Sequence, residues 1–203
     1  MAMRVPCEVV SWNRVHRLTR RLAWRIRDGG RRPEVIVAIA RGGYVPARIL
    51  CDYLYVTELT SIRIVHYTAG THREKQARLA EPLSVDVRDR AVLIVDDVSD
   101  TGDTLRLSRD HVCQFEPRDV RIGVLHHKTV SAVAPDYFAA RMTEWRWVVY
   151  PWAMIEDISG LLADATERPH TRDQAAARLA ADFGIRVPVH VLDDVLKELD
   201  HGD

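Results

Sequence analysis

Residues 91–95 read Ala-Val-Leu-Ile-Val without a polar break, and the chain turns at once to Asp96-Asp97. A strand on a half-solvated sheet alternates apolar and polar side chains, so an unbroken run of this kind suits a strand covered on both faces. Segment 34–40 (EVIVAIA) reads the same way, 61–66 (SIRIVH) and 120–125 (VRIGVL) are further candidate strands, and 147–150 (WVVY) is a short fifth one. Helical spacing fills the gaps. Val15, Leu18, Leu22, Ala23 and Ile26 recur along 12–28 behind a Ser11 cap and before a Gly29-Gly30 stop, and 45–55 and 102–113 also read as helices. Strands alternating with helices predict a doubly wound α/β fold, with a mostly parallel sheet flanked by helices.

Residues 67–90 are polar and without a strong period, which predicts a long loop or mobile hairpin. Structureless segments of that length inside compact domains are usually functional lids or disordered. Beyond Ile158 the character changes. Two helical patterns, 172–183 and 192–199, are separated by Gly184 and Pro188. We therefore expect a principal domain over 1–158 and a small C-terminal helical appendage over 159–203.

The 29 basic and 29 acidic residues cancel, so no global field recruits a polyanion or an anionic membrane, although Arg20, Arg21, Arg25 and Arg27 cluster locally. Neither a nucleic-acid partner nor a membrane is expected. Cys7, Cys51 and Cys113 lack the spacing of a disulfide framework or a zinc site, which suits reduced thiols in the cytoplasm. No apolar run reaches the length of a signal peptide or a membrane span. His126 and His127 are adjacent, so on a strand they point to opposite faces, and a buried or hydrogen-bonding role fits them better than metal ligation.

In open parallel sheets ligands bind beyond the carboxyl ends of the strands, and the richest such place is 92–105, VLIVDDVSDTGDTL. A glycine and hydroxyls opening a helix make an anion cradle: outward N–H groups, a favourable dipole and the Thr101 and Thr104 hydroxyls suit a terminal phosphate. Asp96 and Asp97 would repel that phosphate unless they face sugar hydroxyls or a hard divalent cation. The segment has neither the glycine-to-lysine spacing of a Walker loop nor three spaced glycines.

These residues resemble the phosphoribosyl diphosphate signature of the type I phosphoribosyltransferases: four apolar residues, two acids, two variable positions, then Asp-Thr-Gly-x-Thr. Residues 37–43 (VAIARGG) are similar to the diphosphate-binding loop of that family. The resemblance implies that Ala40, Arg41, Gly42 and Gly43, with a cis Ala40–Arg41 peptide, hold the diphosphate. It further implies that Asp96 and Asp97 meet the ribose hydroxyls and Mg²⁺, and that Asp100 is the general base. Thr101, Gly102, Asp103 and Thr104 would bind the 5-phosphate, Asp103 pointing its side chain to solvent. Within 67–90, a lid, the candidate contacts are Tyr67, Thr68, Arg73 and Lys75.

Residues 125–129 (LHHKT) followed by 135–137 (PDY) resemble the 6-oxopurine members, which implies that Lys128 reaches the exocyclic oxygen of the base. Residues 147–152 (WVVYPW) are similar to bacterial xanthine-guanine enzymes, with Trp147 stacking on the base, the Val148 main chain at its edge, and Trp145 and Trp152 as packing residues. Ala153 stands where those enzymes carry an acid; Glu156 and Asp157 follow. The implied activity is transfer of the phosphoribosyl group to a purine, hypoxanthine, guanine or xanthine, in salvage by a cytoplasmic homodimer. The alternatives are another acceptor, such as adenine or a pyrimidine, and a non-catalytic regulator that senses phosphoribosyl diphosphate. The intact Asp100 favours an enzyme, since a sensor needs no general base.

Overall fold

The computed structural model describes residues 5–68, 75–163 and 168–201; within these, the side chains of 66–68, 75–76 and 200–201 are left aside. The chain divides into two compact units, 15–144 and 1–14 together with 145–203.

The larger unit is built on a six-stranded sheet. Its strands are β2 (Val35–Ala40), β3 (Glu58–Thr68), β4 (Lys75–Glu81), β5 (Ala91–Ser99), β6 (Asp119–Lys128) and β7 (Tyr137–Met142), with β1 (Cys7–Val9) in the other unit. The order is β4-β3-β2-β5-β6-β7, and every pairing is parallel except β3 with β4. The expected doubly wound, mostly parallel sheet is what forms. Every residue of β2 is buried, and so are Ala91 to Asp96 of β5, as an apolar run without alternation requires. Helices α1 (Trp12–Asp28), α2 (Tyr44–Leu54) and α3 (Asp103–Cys113) follow the strands in sequence.

One face of the sheet gives Val35, Val37, Ile39, Val92, Ile94, Ile122 and Val124 to a core shared with Leu105 and Val112 of α3. Gly123 on β6 faces Leu22 of α1. Each fully buried Leu, Ile or Val side chain contributes about 1.5–3 kcal/mol, so this layering fixes where the strand ends lie. The predicted α1 start holds: the Arg14 N–H donates to Ser11 Oγ at 3.3 Å. Gly30, just past the helix, has φ 70°, a left-handed conformation in which glycine carries no Cβ penalty.

In the smaller unit, β1 pairs in parallel with β8 (Trp147–Val149), Cys7 opposite Trp147. The fifth strand expected at 147–150 therefore lies in a separate two-stranded sheet. Its expected place in the large sheet is taken by β7, whose sequence YFAARM mixes small and charged residues and has a broken burial pattern. Helices α4 (Met154–Ala163), α5 (Arg172–Arg178), a π-helical turn (Leu179–Phe183) and α6 (Val189–His201) complete the unit. Val149, Ile158, Leu162, Leu179, Phe183 and Val195 share its core. Thr171 and Gln174 close a capping box on α5, satisfying backbone groups that a helix start leaves open.

Candidate active site

Strands β2, β5 and β6 run parallel, so their carboxyl ends open on the same edge of the sheet. β2 ends at Ala40, and the Ala40–Arg41 peptide is cis, as the resemblance implies. Gly42 follows against the Asp97 side chain: a methyl group there would fall inside contact distance of both carboxylate oxygens. Gly43 is pressed on backbone instead, where a Cβ would collide with the carbonyl oxygens of Val95 and Ile39. Both glycines are thus fixed by close approach of β2 to β5. Residues 40–43 and the acid pair, expected on separate sequence grounds, meet at one place.

β5 continues past its apolar run to Ser99, so Asp96 and Asp97 lie within the strand rather than in a loop. Asp96 is 8% exposed, and its Oδ1 accepts a hydrogen bond from the Asp97 N–H at 2.9 Å. Burial, with the Asp97 charge beside it, holds the Asp96 carboxyl well above the usual aspartate range. The site thus contains a carboxylate whose charge the protein alone leaves poorly compensated.

The segment after β5 bends through Asp100, Thr101 and Gly102, and Gly102 is the N-cap of α3 with φ 95°. A side chain there would be strained by the backbone and would also meet Val133 N at 2.7 Å and Ser131 Oγ at 2.9 Å. The 129–133 loop closes on this turn: the Ala132 N–H donates to Thr101 O at 2.9 Å, Ser99 Oγ lies 2.7 Å from Ser131 Oγ, and Ser131 Oγ donates to Val133 O at 2.9 Å. This buttress was not among the sequence expectations, since a short polar loop carries no periodic signal. Asp103 is exposed as expected, and its carboxylate accepts from the Thr101 hydroxyl at 3.0 Å.

β6 is buried through its last seven residues and ends on Lys128. A lysine at a strand end is ordinarily solvated, yet Lys128 is 3% exposed and its Nζ donates to Asp100 Oδ2 at 2.8 Å. Asp100 keeps 39% of its side-chain surface in water. Two residues picked for separate roles form one ion pair. His126 and His127, on β6 itself, are both buried, and burial, with the Arg141 charge, lowers the His127 pKa. Among the described residues no group of three or more His, Cys, Asp or Glu could hold a metal by itself.

The remaining candidates belong to the smaller unit. Trp147 is 42% exposed; its N–H donates to Pro6 O at 2.9 Å, and its side chain hydrogen-bonds Asp157, in the first turn of α4. Val148 is buried beside it. Burial lifts the Asp157 pKa to about 6, against the lowering effect of the Trp147 bond, with a further push from Glu156. Burial and Asp157 together raise the Cys7 thiol to about 11. Trp152 packs between Tyr150, stacked at 4.6 Å, and Trp12 at 5.9 Å. Of the lid candidates, Arg73 and the side chains of Tyr67, Thr68 and Lys75 lie outside the described residues; the backbone on either side forms the β3–β4 hairpin.

Comparison with known proteins agrees with this geometry. A phosphoribosyl transferase domain profile matches residues 8–156. A xanthine-guanine phosphoribosyltransferase of Ruegeria sp. (strain TM1040) is 32% identical over 155 residues, 71% of this chain and 84% of the relative. The crystal structure of a purine phosphoribosyltransferase from Pyrococcus horikoshii Ot3 is 33% identical, with a TM-score of 0.64, covering 72% of this chain and 93% of that one. A protein from Neisseria gonorrhoeae solved with bound ppGpp shares the fold at TM-score 0.66 and 23% identity, over 87% of this chain and 99% of its own. With the acid pair, the glycine loop and the turn that opens α3 placed at the carboxyl ends of neighbouring parallel strands, the chain belongs to the phosphoribosyltransferase domain family.

Proposed function

We propose that the protein transfers the phosphoribosyl group of phosphoribosyl diphosphate to a 6-oxopurine, giving the nucleoside 5'-monophosphate and diphosphate in purine salvage. The observation that carries this reading is the buried Lys128 ammonium held 2.8 Å from Asp100. A buried cation beside an acceptor-capable carboxylate offers a donor to an exocyclic oxygen and a base to a neighbouring ring proton, the polarity of a 6-oxopurine edge. The name of the Ruegeria relative, a xanthine-guanine enzyme, supports the same acceptor class, and that of the Pyrococcus structure supports a purine.

In this reading Thr101, Gly102, Asp103 and Thr104 hold the 5-phosphate at the start of α3, the Thr101 hydroxyl turning from Asp103 to the phosphate. Ala40, Arg41, Gly42 and Gly43 hold the diphosphate, the Arg41 guanidinium adding charge-assisted hydrogen bonds. Asp96 and Asp97 hold the ribose hydroxyls. The same two carboxylates fit Mg²⁺, which takes one or two carboxylates from a protein and completes its shell with phosphate oxygens and water. The ion supplies charge neutralisation of the departing diphosphate.

A purine ring nitrogen bonds to the anomeric carbon as the bond to diphosphate breaks, and the proton displaced from the base is held at the Asp100 carboxylate. Lys128 fixes the 6-oxo group, Trp147 stacks on the ring and the Val148 main chain meets its edge. Of the expected lid over 67–90, strand β4 and the buried Leu83 and Val87 belong to the sheet and its core, so the role of excluding water from the reacting carbon falls to the β3–β4 hairpin. The catalytic part is 1–158 and the appendage 159–203; the enzyme works in the cytoplasm as a homodimer.

The test is incubation with phosphoribosyl diphosphate, Mg²⁺ and each of hypoxanthine, guanine, xanthine, adenine and uracil. Nucleotide from the 6-oxopurines is expected, and turnover only with adenine or uracil overturns the acceptor. Asp100→Asn should lower kcat by about 100-fold while donor binding persists.

A further inference from the structure

Arg17, Arg20, Trp24 and Arg27 recur at three- and four-residue spacing along α1, so they form one exposed stripe on the face opposite its buried residues. Over ten residues this stripe runs about 15 Å, and Asp28 is the only acid in the helix. Arg27 lies over the Trp24 ring at 5.1 Å and 5.7 Å from the Tyr55 ring, and donates to Tyr53 O at 2.7 Å. Arg32 donates to Tyr55 O at 3.3 Å, and Tyr55 is 76% exposed with φ 54°.

The stripe lacks compensating acids, unlike the arginines around β6. Arg109 and Arg121 pair with Asp136 at 2.6 and 2.9 Å, and Arg118 with Glu34 at 2.5 Å. Among the described residues no carboxylate lies within ion-pair distance of Arg17, Arg20, Arg27 or Arg32; the contacts of Arg27 and Arg32 go to carbonyls and rings, which leave the charge intact. The stripe leads to a cavity of about 240 Å³ with a floor of Ile26, Pro33 and Leu54 and a rim that includes Arg27, Arg32 and Tyr55. It opens beside the residues that precede β2, at the opposite end of the sheet from the candidate active site.

We infer that this face binds single-stranded nucleic acid, the arginines tracking phosphates while Trp24 and Tyr55 offer rings to the bases. A stripe of this length is more than one phosphate can satisfy. A membrane surface is disfavoured, because Val15, Leu18, Leu22, Ala23 and Ile26, the apolar face that interfacial insertion requires, are already buried in the core. The zero net charge of the chain does not oppose this, since contact is governed by local charge within a Debye length of about 8–10 Å.

The probes are fluorescein-labelled twelve-nucleotide oligouridylate and oligodeoxythymidylate, followed by anisotropy from 50 to 200 mM salt, with phosphatidylglycerol vesicles and sedimentation in parallel. Three or four phosphate contacts predict roughly 20- to 50-fold weaker binding across that range. Arg17→Glu with Arg20→Glu should weaken binding at least tenfold; neither side chain bonds to another of the described residues, so stability and nucleotide synthesis stay unchanged. Trp24→Ala should weaken binding by about 5- to 100-fold and Trp24→Phe far less. Stronger binding of one oligonucleotide separates an RNA from a DNA partner. Absence of binding below about 100 µM at 50 mM salt, or binding indifferent to these substitutions, overturns the inference. So does vesicle binding without oligonucleotide binding, or self-association that the double substitution abolishes.

Discussion

Replacing Asp157 by Asn isolates one electrostatic cost. The carboxyl titrates at about 6 against an ordinary value of 3.8, chiefly because it is partly withdrawn from water. For a fully shielded group that difference corresponds to about 3 kcal/mol favouring the protonated form. Asp157 is only half-buried, and solvent screening brings the cost to about 1–2 kcal/mol. The folded protein holds the Asp157 proton more tightly than the unfolded chain does. Wild-type stability therefore falls as pH rises from about 4 through about 6 and takes no further loss from this group above that. An Asn keeps an oxygen for the Trp147 side chain and carries no charge. Glu156 loses a repulsive neighbour, and Cys7, with its thiol at about 11, stays neutral throughout. Urea unfolding should show Asp157→Asn more stable than wild type by about 1–2 kcal/mol at pH 8, with the gap closing by pH 4. A gap independent of pH, or a variant less stable at pH 8, refutes the reasoning.

Lys128→Met removes the Asp100 partner while filling the same buried volume. Because Asp100 keeps contact with water, unfolding free energy should fall by only about 1 kcal/mol, whereas kcat/KM for hypoxanthine should fall about 10- to 200-fold with the lost charged hydrogen bond. The two loop glycines should separate in the same assays. Gly43→Ala drives a methyl into the Val95 and Ile39 carbonyls and should cost about 1–3 kcal/mol of stability; Gly42→Ala meets only the Asp97 side chain and should mainly raise the KM for phosphoribosyl diphosphate. Ala153→Asp restores an acid where the xanthine-guanine enzymes carry one, and should raise kcat/KM for guanine relative to hypoxanthine by about tenfold, read by competition between the two bases.

The central strands and the acid pair were legible because their signals are local. A two-sided burial pattern can be read from 34–40 or 91–95 alone, and the turn that opens α3 needs only the order of Asp100, Thr101, Gly102 and Thr104. What failed to show depends on partners distant in sequence. β7 (Tyr137–Met142) carries Arg141 and two alanines, and becomes a strand only because β6 offers its edge. β8 reads as a strand, yet its partner is three residues near the N-terminus, and no run of four residues reveals which sheet it joins. Burial of Lys128 is equally non-local: its sequence context is a strand end, and only the approach of the turn after β5 supplies the carboxylate. The Asp157–Trp147 contact joins a helix to a strand ten positions earlier, without a motif to announce it.

Asp96 shows why the candidate site and the fold pull in different directions. Within a strand whose preceding residues are all buried, an apolar or neutral side chain would complete the layer, and Asn would keep the hydrogen bond from the Asp97 N–H. The chain instead places a carboxylate there and sets a second beside it, so that each disfavours the charge of the other. Nothing in the packing of β5 requires this arrangement. Sugar hydroxyls and a divalent cation would both relieve it, the first by donating hydrogen bonds and the second by neutralising charge. The stability that the Asp96 charge costs the protein then reappears as affinity for the donor, because the ligand meets a buried carboxylate already held in place. On this argument Asp96→Asn yields a more stable protein at neutral pH, measured by urea unfolding without Mg²⁺, that has lost most of its affinity for phosphoribosyl diphosphate. A variant that is less stable than wild type would show that the Asp96 charge is compensated within the fold.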